Sequence, residues 1–142
     1  MKPKNPNYRE EAQRVLHTAP FIQDMGIETA AFAPGKCETL INLETRHLQQ
    51  DGYVHAGVMA TLADHTAGAA GATLVGPGEF VLTAEFKINF LRSAKGDRLE
   101  CLAQVLKPGR RLTVAESEIF CIRGDERKLV AKAMVSLAVV SG

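Results

Sequence analysis

Apolar and polar residues alternate along most of this chain, with one long exception. From Lys36 to Thr45, Cys37, Thr39, Ile41 and Leu43 fall on one side and Lys36, Glu38, Asn42 and Glu44 mostly on the other. That period of two marks a half-buried strand. The alternation returns after residue 79. Phe80, Leu82, Ala84, Phe86, Ile88 and Phe90 form one face of a long predicted strand, opposite Thr83, Glu85, Lys87 and Asn89. Leu99, Cys101, Ala103 and Val105 form another, ended by Pro108 and Gly109, and a run from Leu112 to Ile122 alternates less cleanly. Leu129, Ala131, Ala133, Val135, Leu137 and Val139 complete the last. The connections Ser93 to Asp97, Lys107 to Arg110 and Arg123 to Arg127 are short and charged and carry glycine. They suit antiparallel hairpins and leave no room for crossover helices.

The exception is His55 to Thr73, HAGVMATLADHTAGAAGAT, which is helical in length and alanine content but has no polar face. Such a helix has to be enclosed on most sides, and its small residues let other backbone approach closely. Upstream, a helix is expected from Tyr8 to about Thr18, then a loop with Pro20 and a turn ending at Gly26. The predicted class is α+β, an antiparallel sheet wrapped around one central helix. Residues 1–20 read as a polar segment with a short helix, ahead of one domain over 21–142.

A length of 142 residues suits a single domain and leaves no room for a separate cofactor domain. The net charge of +1 is too small for general phosphate attraction, so a nucleic-acid partner is not expected. Apolar runs are interrupted before reaching membrane-spanning length, and Met1 to Glu11 lacks an apolar signal core, which points to a cytoplasmic protein. Cys37, Cys101 and Cys121 are odd in number and lack CxxC spacing. Neither a disulfide framework nor a zinc or other metal site is supported; buried strand thiols are expected.

Asp64 is the residue that most needs a reason. A carboxylate among alanines and glycines is costly to bury unless it is paired or its pKa is adjusted. It either performs chemistry or rests against solvent or a partner such as His65 or an arginine. At the start of the same helix, the amides following His55, at Ala56 and Gly57, have no internal acceptors and suit an oxyanion. His55 itself is a candidate base or a structural hydrogen-bonder. Asp64 follows Ala56 by eight positions, a rise of ~12 Å along a helix, too far for both to act on one carbonyl. If both act, the acid comes from a second subunit across a two-fold axis, with two equivalent sites per dimer. Gln49, in the preceding loop, is able to hold a water or a carbonyl without titrating.

These residues resemble the hotdog-fold acyl-CoA thioesterases of the PaaI-like group. The likeness lies in Gln49, His55-Ala56-Gly57 and Asp64 within LQQDGYVHAGVMATLADHTAGAA, and in EFKINFLRSAKGD from Glu85 to Asp97; together the pieces span the chain from Phe21 onward. The resemblance implies a hotdog fold and hydrolysis of acyl-CoA to free acid and CoA. CoA then belongs to the substrate, and no cofactor is required. It implies that the Ala56 amide polarises the thioester carbonyl and that Asp64 of the neighbouring subunit acts as nucleophile or as general base on water. Gln49 would hold the water or the carbonyl, and His55 would support the helix start. It also implies a homodimer with shared active sites, commonly assembled into a homotetramer.

Two positions depart from the family pattern. Ala56 replaces the first glycine of the motif, and Gly68 lacks a hydroxyl that some members carry one turn after the acid. For substrate binding, Gly57, Asn89, Arg92, Lys95, Arg110 and Arg111 are candidates, the cations for the CoA phosphates. Phe80, Phe86 and Phe90 either line an acyl pocket or belong to the core. Two alternative functions stay open: a hotdog hydratase or dehydratase pairing a histidine with an acid, and a non-catalytic acyl-CoA-binding module.

Overall fold

The computed structural model describes all 142 residues. Helices α1 (Tyr8–His17) and α2 (Pro20–Met25) lead into strands β1 (Ile27–Ala33) and β2 (Lys36–Asn42). A short 3-10 turn (Thr45–His47) and a loop enter the long helix α3 (Ala56–Ala72). Four strands follow: β3 (Glu79–Phe90), β4 (Arg98–Lys107), β5 (Leu112–Arg123) and β6 (Glu126–Ser141). All pair antiparallel in one sheet of order β1-β2-β4-β5-β6-β3, with α3 packed on its concave face. This is the sheet wrapped around one central helix expected from the alternation and the apolar helix, and the hotdog fold that the resemblance implies. No helix is long and apolar enough to cross a membrane.

The core lies between α3 and the sheet. Leu62, Ile41, Leu99, Ile119 and Leu137 are fully enclosed, and each large apolar side chain so buried contributes roughly 1.5–3 kcal/mol. At Gly71 a Cβ would lie 2.5 Å from a Leu137 methyl, so the small residues of α3 do bring helix and sheet close together. Buried hydroxyls are satisfied: Thr39 and Thr66 share a 2.7 Å hydrogen bond, and Ser117 Oγ donates to the Ala63 carbonyl at 2.7 Å. Helix α1 packs on α3 and buries Ala12 and Leu16, the latter in the same core. The alternation did not predict β1, a short edge strand interrupted by an irregularity between Thr29 and Ala31.

Two β-bulges correct the strand faces inferred from simple alternation. In β3 the register shifts between Thr83 and Glu85, so Val81 and Thr83 share the concave face with Phe86, Ile88 and Phe90. Phe80 and Leu82 turn instead to the convex face, with Glu85, Lys87 and Asn89. In β6 the shift lies opposite Ile119 and Phe120: Val130 is the extra residue, Leu129 goes to the convex face, and Lys128 comes to the concave face opposite Cys121. An added residue reverses the parity of everything beyond it.

Candidate active site

The loop before α3 is fixed by a buried histidine. His47 Nδ1 accepts from the Glu44 amide at 3.0 Å, and its Nε2 donates to the Met25 carbonyl at 2.9 Å. The His47 carbonyl in turn accepts the His55 amide at 2.9 Å, which sets the point where α3 begins. Gln49 closes the intervening turn: its Oε1 accepts the amides of Asp51 and Tyr53. The Gln49 Nε2 has no partner within the chain and remains available as a donor.

His55 is the N-cap of α3. Its Nδ1 accepts the Gly57 amide at 2.8 Å, and its carbonyl accepts those of Val58 and Met59. The Ala56 N–H is left with no acceptor in the chain. Of the two amides singled out from sequence, Gly57 is therefore already committed and Ala56 is the free one. Accepting through Nδ1 places the proton of the neutral imidazole on Nε2. His55 is thus occupied as a cap, and no acid pairs with it.

Asp64 is half-buried in the middle of α3, and Thr83 Oγ1 donates to its Oδ1 at 2.6 Å. The partner is neither His65 nor an arginine. Thr83 escaped the sequence reading because only the bulge at Ala84 turns it toward α3. Its placement leaves Oδ2 of Asp64 free. The acid lines an open depression of about 360 Å3, with Ala19, Phe21, Ile22, Ala60, Thr61, His65 and Phe86. Beyond Gly68, one turn further along, a Cβ would meet nothing within 4 Å. Because α3 is continuous from Ala56 to Ala72, the Ala56 amide and Asp64 of one chain remain ~12 Å apart along the axis.

A free helix N-terminal amide and a half-buried acid on the same helix, wrapped by one antiparallel sheet, have counterparts in known proteins. The sequence pattern of the thioesterase superfamily matches residues 51–128, a stretch that includes both groups. The chain belongs to the thioesterase superfamily. A thioesterase family protein from Silicibacter pomeroyi is 32% identical, with a TM-score of 0.92 over 95% of this chain and 99% of that one. The 1,4-dihydroxy-2-naphthoyl-CoA hydrolase of Listeria monocytogenes is 27% identical over 117 residues, covering 82% of this chain and 93% of the relative. The PaaI protein from the phenylacetic acid degradation operon of E. coli shares the fold, with a TM-score of 0.84 at 20% identity, covering 98% of this chain and 97% of that one.

Membership in this superfamily places the protein among thioester hydrolases, and the remaining residues sort accordingly. Burial pushes the Cys37 and Cys101 thiols up to about 12 and raises that of Cys121, so none is poised as a thiolate nucleophile. The cations do not form one group within a chain. Arg92 and Lys95 lie near the N-terminal end of α3, whereas Arg110 and Arg111 occupy the β4–β5 hairpin at the other end of the sheet. Asn89 is on the convex face and Phe80 with it. Phe86 and Phe90 remain on the helix side, and Phe86 alone of the three lines the depression beside Asp64.

Proposed function

We propose that this superfamily member hydrolyses acyl-CoA thioesters at sites shared between two copies of the chain. The observation that carries the reading is the pairing of one free helix-opening amide, Ala56, with an oriented acid, Asp64, that its own helix holds too far away to reach. The sheet offers the means of pairing. β3 is a twelve-residue edge strand with exposed Leu82, Phe86 and Phe90, and a long apolar edge calls for a partner. Pairing β3 with β3 of a second copy sets the two α3 helices antiparallel, the acid of each toward the N-terminus of the other. Exposed Leu82, Leu112 and Met134 on the convex face provide a surface on which dimers stack into a tetramer.

In this scheme the Ala56 N–H and the Gln49 amide polarise the thioester carbonyl. Asp64 of the partner subunit, its Oδ1 held by Thr83, presents Oδ2 either to a water or to the carbonyl carbon. In the general-base form, the water oxygen bonds to the carbonyl carbon as Asp64 takes its proton, and the oxyanion rests on Ala56. The C–S bond then breaks, and CoA leaves as thiolate to collect a proton. CoA enters as part of the substrate rather than as a cofactor, and the acyl group takes the apolar depression between Phe21 and Phe86. Three buried thiols and no disulfide suit a reducing compartment such as the cytoplasm. His55 Nδ1 is committed as a cap and no acid pairs with its ring, so the histidine–acid pair of a hydratase is not assembled within the chain. A panel of aryl, short, medium and long acyl-CoA thioesters, read with a thiol-detecting reagent, tests the function; thiol release is expected from at least one class, and none from any contradicts it.

A further inference from the structure

The wall of the Asp64 depression that carries Phe21 and Ile22 is α2, and this helix is thinly held. Ile22 is its one buried residue, and Phe21 is 60% exposed. Its last two carbonyls are taken by the loop that precedes α3. The Arg46 guanidinium donates to that of Asp24, and His47 Nε2 donates to that of Met25 at 2.9 Å. The two holds differ in kind. Arg46 is exposed and shared with Glu44, so water can take its place. His47 is 1% exposed with both ring nitrogens bonded, and a buried donor that lost its carbonyl would find no substitute.

The same residue reaches the oxyanion donor through its main chain. The His47 carbonyl accepts the His55 amide at 2.9 Å, and Leu48 and Val54 pair as an antiparallel bridge beside it. A shift of His47 is therefore passed to His55, and the next N–H along the chain is that of Ala56. Met25 follows Phe21 by four positions, about one helical turn. One turn of α2, one imidazole and one main-chain hydrogen bond thus join the acyl wall to the free amide. In a site shared between copies, these two ends serve different substrates. The acyl group beside Asp64 of one chain rests on that chain's α2, whereas that chain's Ala56 polarises the carbonyl in the other site.

We propose that His47 is a positioning residue that couples the two sites of a dimer: an acyl group seated against α2 in one site fixes the Ala56 N–H of the other. The coupling rests on the proposed hydrolysis of acyl-CoA at shared sites, and it adds positive cooperativity to that reading. Ordering a thinly held helix costs conformational entropy, and the first ligand meets that cost. The second ligand finds its oxyanion donor already placed and binds more tightly. Two-fold symmetry makes the effect the same in either direction.

The test is equilibrium binding of phenacyl-CoA and 2-oxodecyl-CoA to the intact protein, followed by calorimetry. In both ligands a methylene separates the sulfur from the carbonyl, so nothing is hydrolysed. Acetonyl-CoA, whose acyl part ends in a single methyl, is the control. The wild type is expected to bind the tighter of the first two with a Hill coefficient of about 1.4 or more, as a coupling of about fivefold gives for two sites, and acetonyl-CoA with a coefficient of about 1. His47→Asn keeps an acceptor for the Glu44 amide but is too short to reach Met25, and should bring the coefficient to about 1; His47→Gln reaches the Met25 carbonyl with its amide nitrogen and should keep the cooperativity. Should His47→Asn not fold, Phe21→Ala, at an exposed side chain, cuts the same path at its other end and should also give about 1. A merely structural His47 would lower stability in its variants and leave the Hill coefficient where it was. Cooperative binding without hydrolysis of any thioester supports the coupling and sinks only the hydrolase reading. Hyperbolic binding by the wild type, equal cooperativity with acetonyl-CoA, or cooperativity kept in folded His47→Asn overturns the coupling while thiol release still upholds the hydrolase. Binding of neither ligand contradicts both.

Discussion

Along the covered side of α3, Val58, Met59, Leu62, Ala63, Thr66 and Ala67 are buried, and the one hydroxyl among them is bonded to Thr39 and to the Leu62 carbonyl. Along the other, Gly57, Ala60, Thr61, Asp64, His65 and Gly68 recur at helical spacing and are left partly or fully uncovered. The covered side is accounted for by packing within one chain. The uncovered stripe is not: it holds an acid, an imidazole and a notch at Gly68, beside an edge strand that still lacks a neighbour. Stability therefore resides on one side of the helix, and the groups available for chemistry or for a second copy reside on the other.

Substitutions on the two sides should separate these roles. Asp64→Asn is expected to lower kcat for thioester hydrolysis by about 10²- to 10⁴-fold, the usual contribution of a positioned acid or base. Its unfolding midpoint should stay near that of the wild type; a folded variant with full turnover contradicts the assignment. Leu62→Ala, on the covered side and fully buried, should cost about 3 kcal/mol in denaturant unfolding, with kcat little altered in the protein that remains folded. Equal losses of kcat on both sides would erase the distinction.

Thr83→Val keeps the shape but removes the donor to Asp64 Oδ1. A loss of about tenfold in kcat is expected, of the order of one hydrogen bond to a charged group, with KM unchanged and recovery in Thr83→Ser. The smallest effect concerns His65, whose Nε2 is buried without a partner. Burial lowers its pKa, against the upward pull of Asp64 and the Leu16 carbonyl. The unfolded chain then takes up a proton the folded one refuses, so stability should fall as the pH drops below the ordinary histidine value of about 6.5. His65→Gln should flatten that part of the stability profile; an unchanged slope excludes His65 as its source.

The antiparallel sheet wrapped around one helix was legible because its two signals are strong. Alternation over Lys36 to Thr45 and over Leu99 to Val105 has one buried face, and a helix without a polar side has few ways to be covered. Ala56 and Asp64 were legible for a related reason, since a helix-opening amide and an acid among methyl groups both need partners. Thr83 and Lys128 were not. Each owes its direction to a single bulged residue, Ala84 or Val130, and both are ordinary strand residues that nothing local marks as bulges. The same shifts misplaced Phe80, Leu82 and Leu129. Arg92 and Arg111 resembled each other as turn cations, and only the length of β4 shows that they stand at opposite ends of the sheet. The edge strand β1, with Ile27 and Phe32 as its only large apolar side chains, gave too weak a period to detect.

The proposed division of each site between two copies can be tested directly by complementation. Ala56→Pro removes the free N–H at the first helical position, where proline is tolerated, and Asp64→Asn removes the acid. Each variant alone should lose activity, because every site in its homodimer is damaged. Co-expressed in equal amounts, about half of the dimers are mixed, and each mixed dimer carries one site with both defects and one intact, so about one quarter of wild-type activity should return. Mixed protein no more active than the two variants separately, with mixed dimers present, would contradict a site built from Ala56 of one chain and Asp64 of the other.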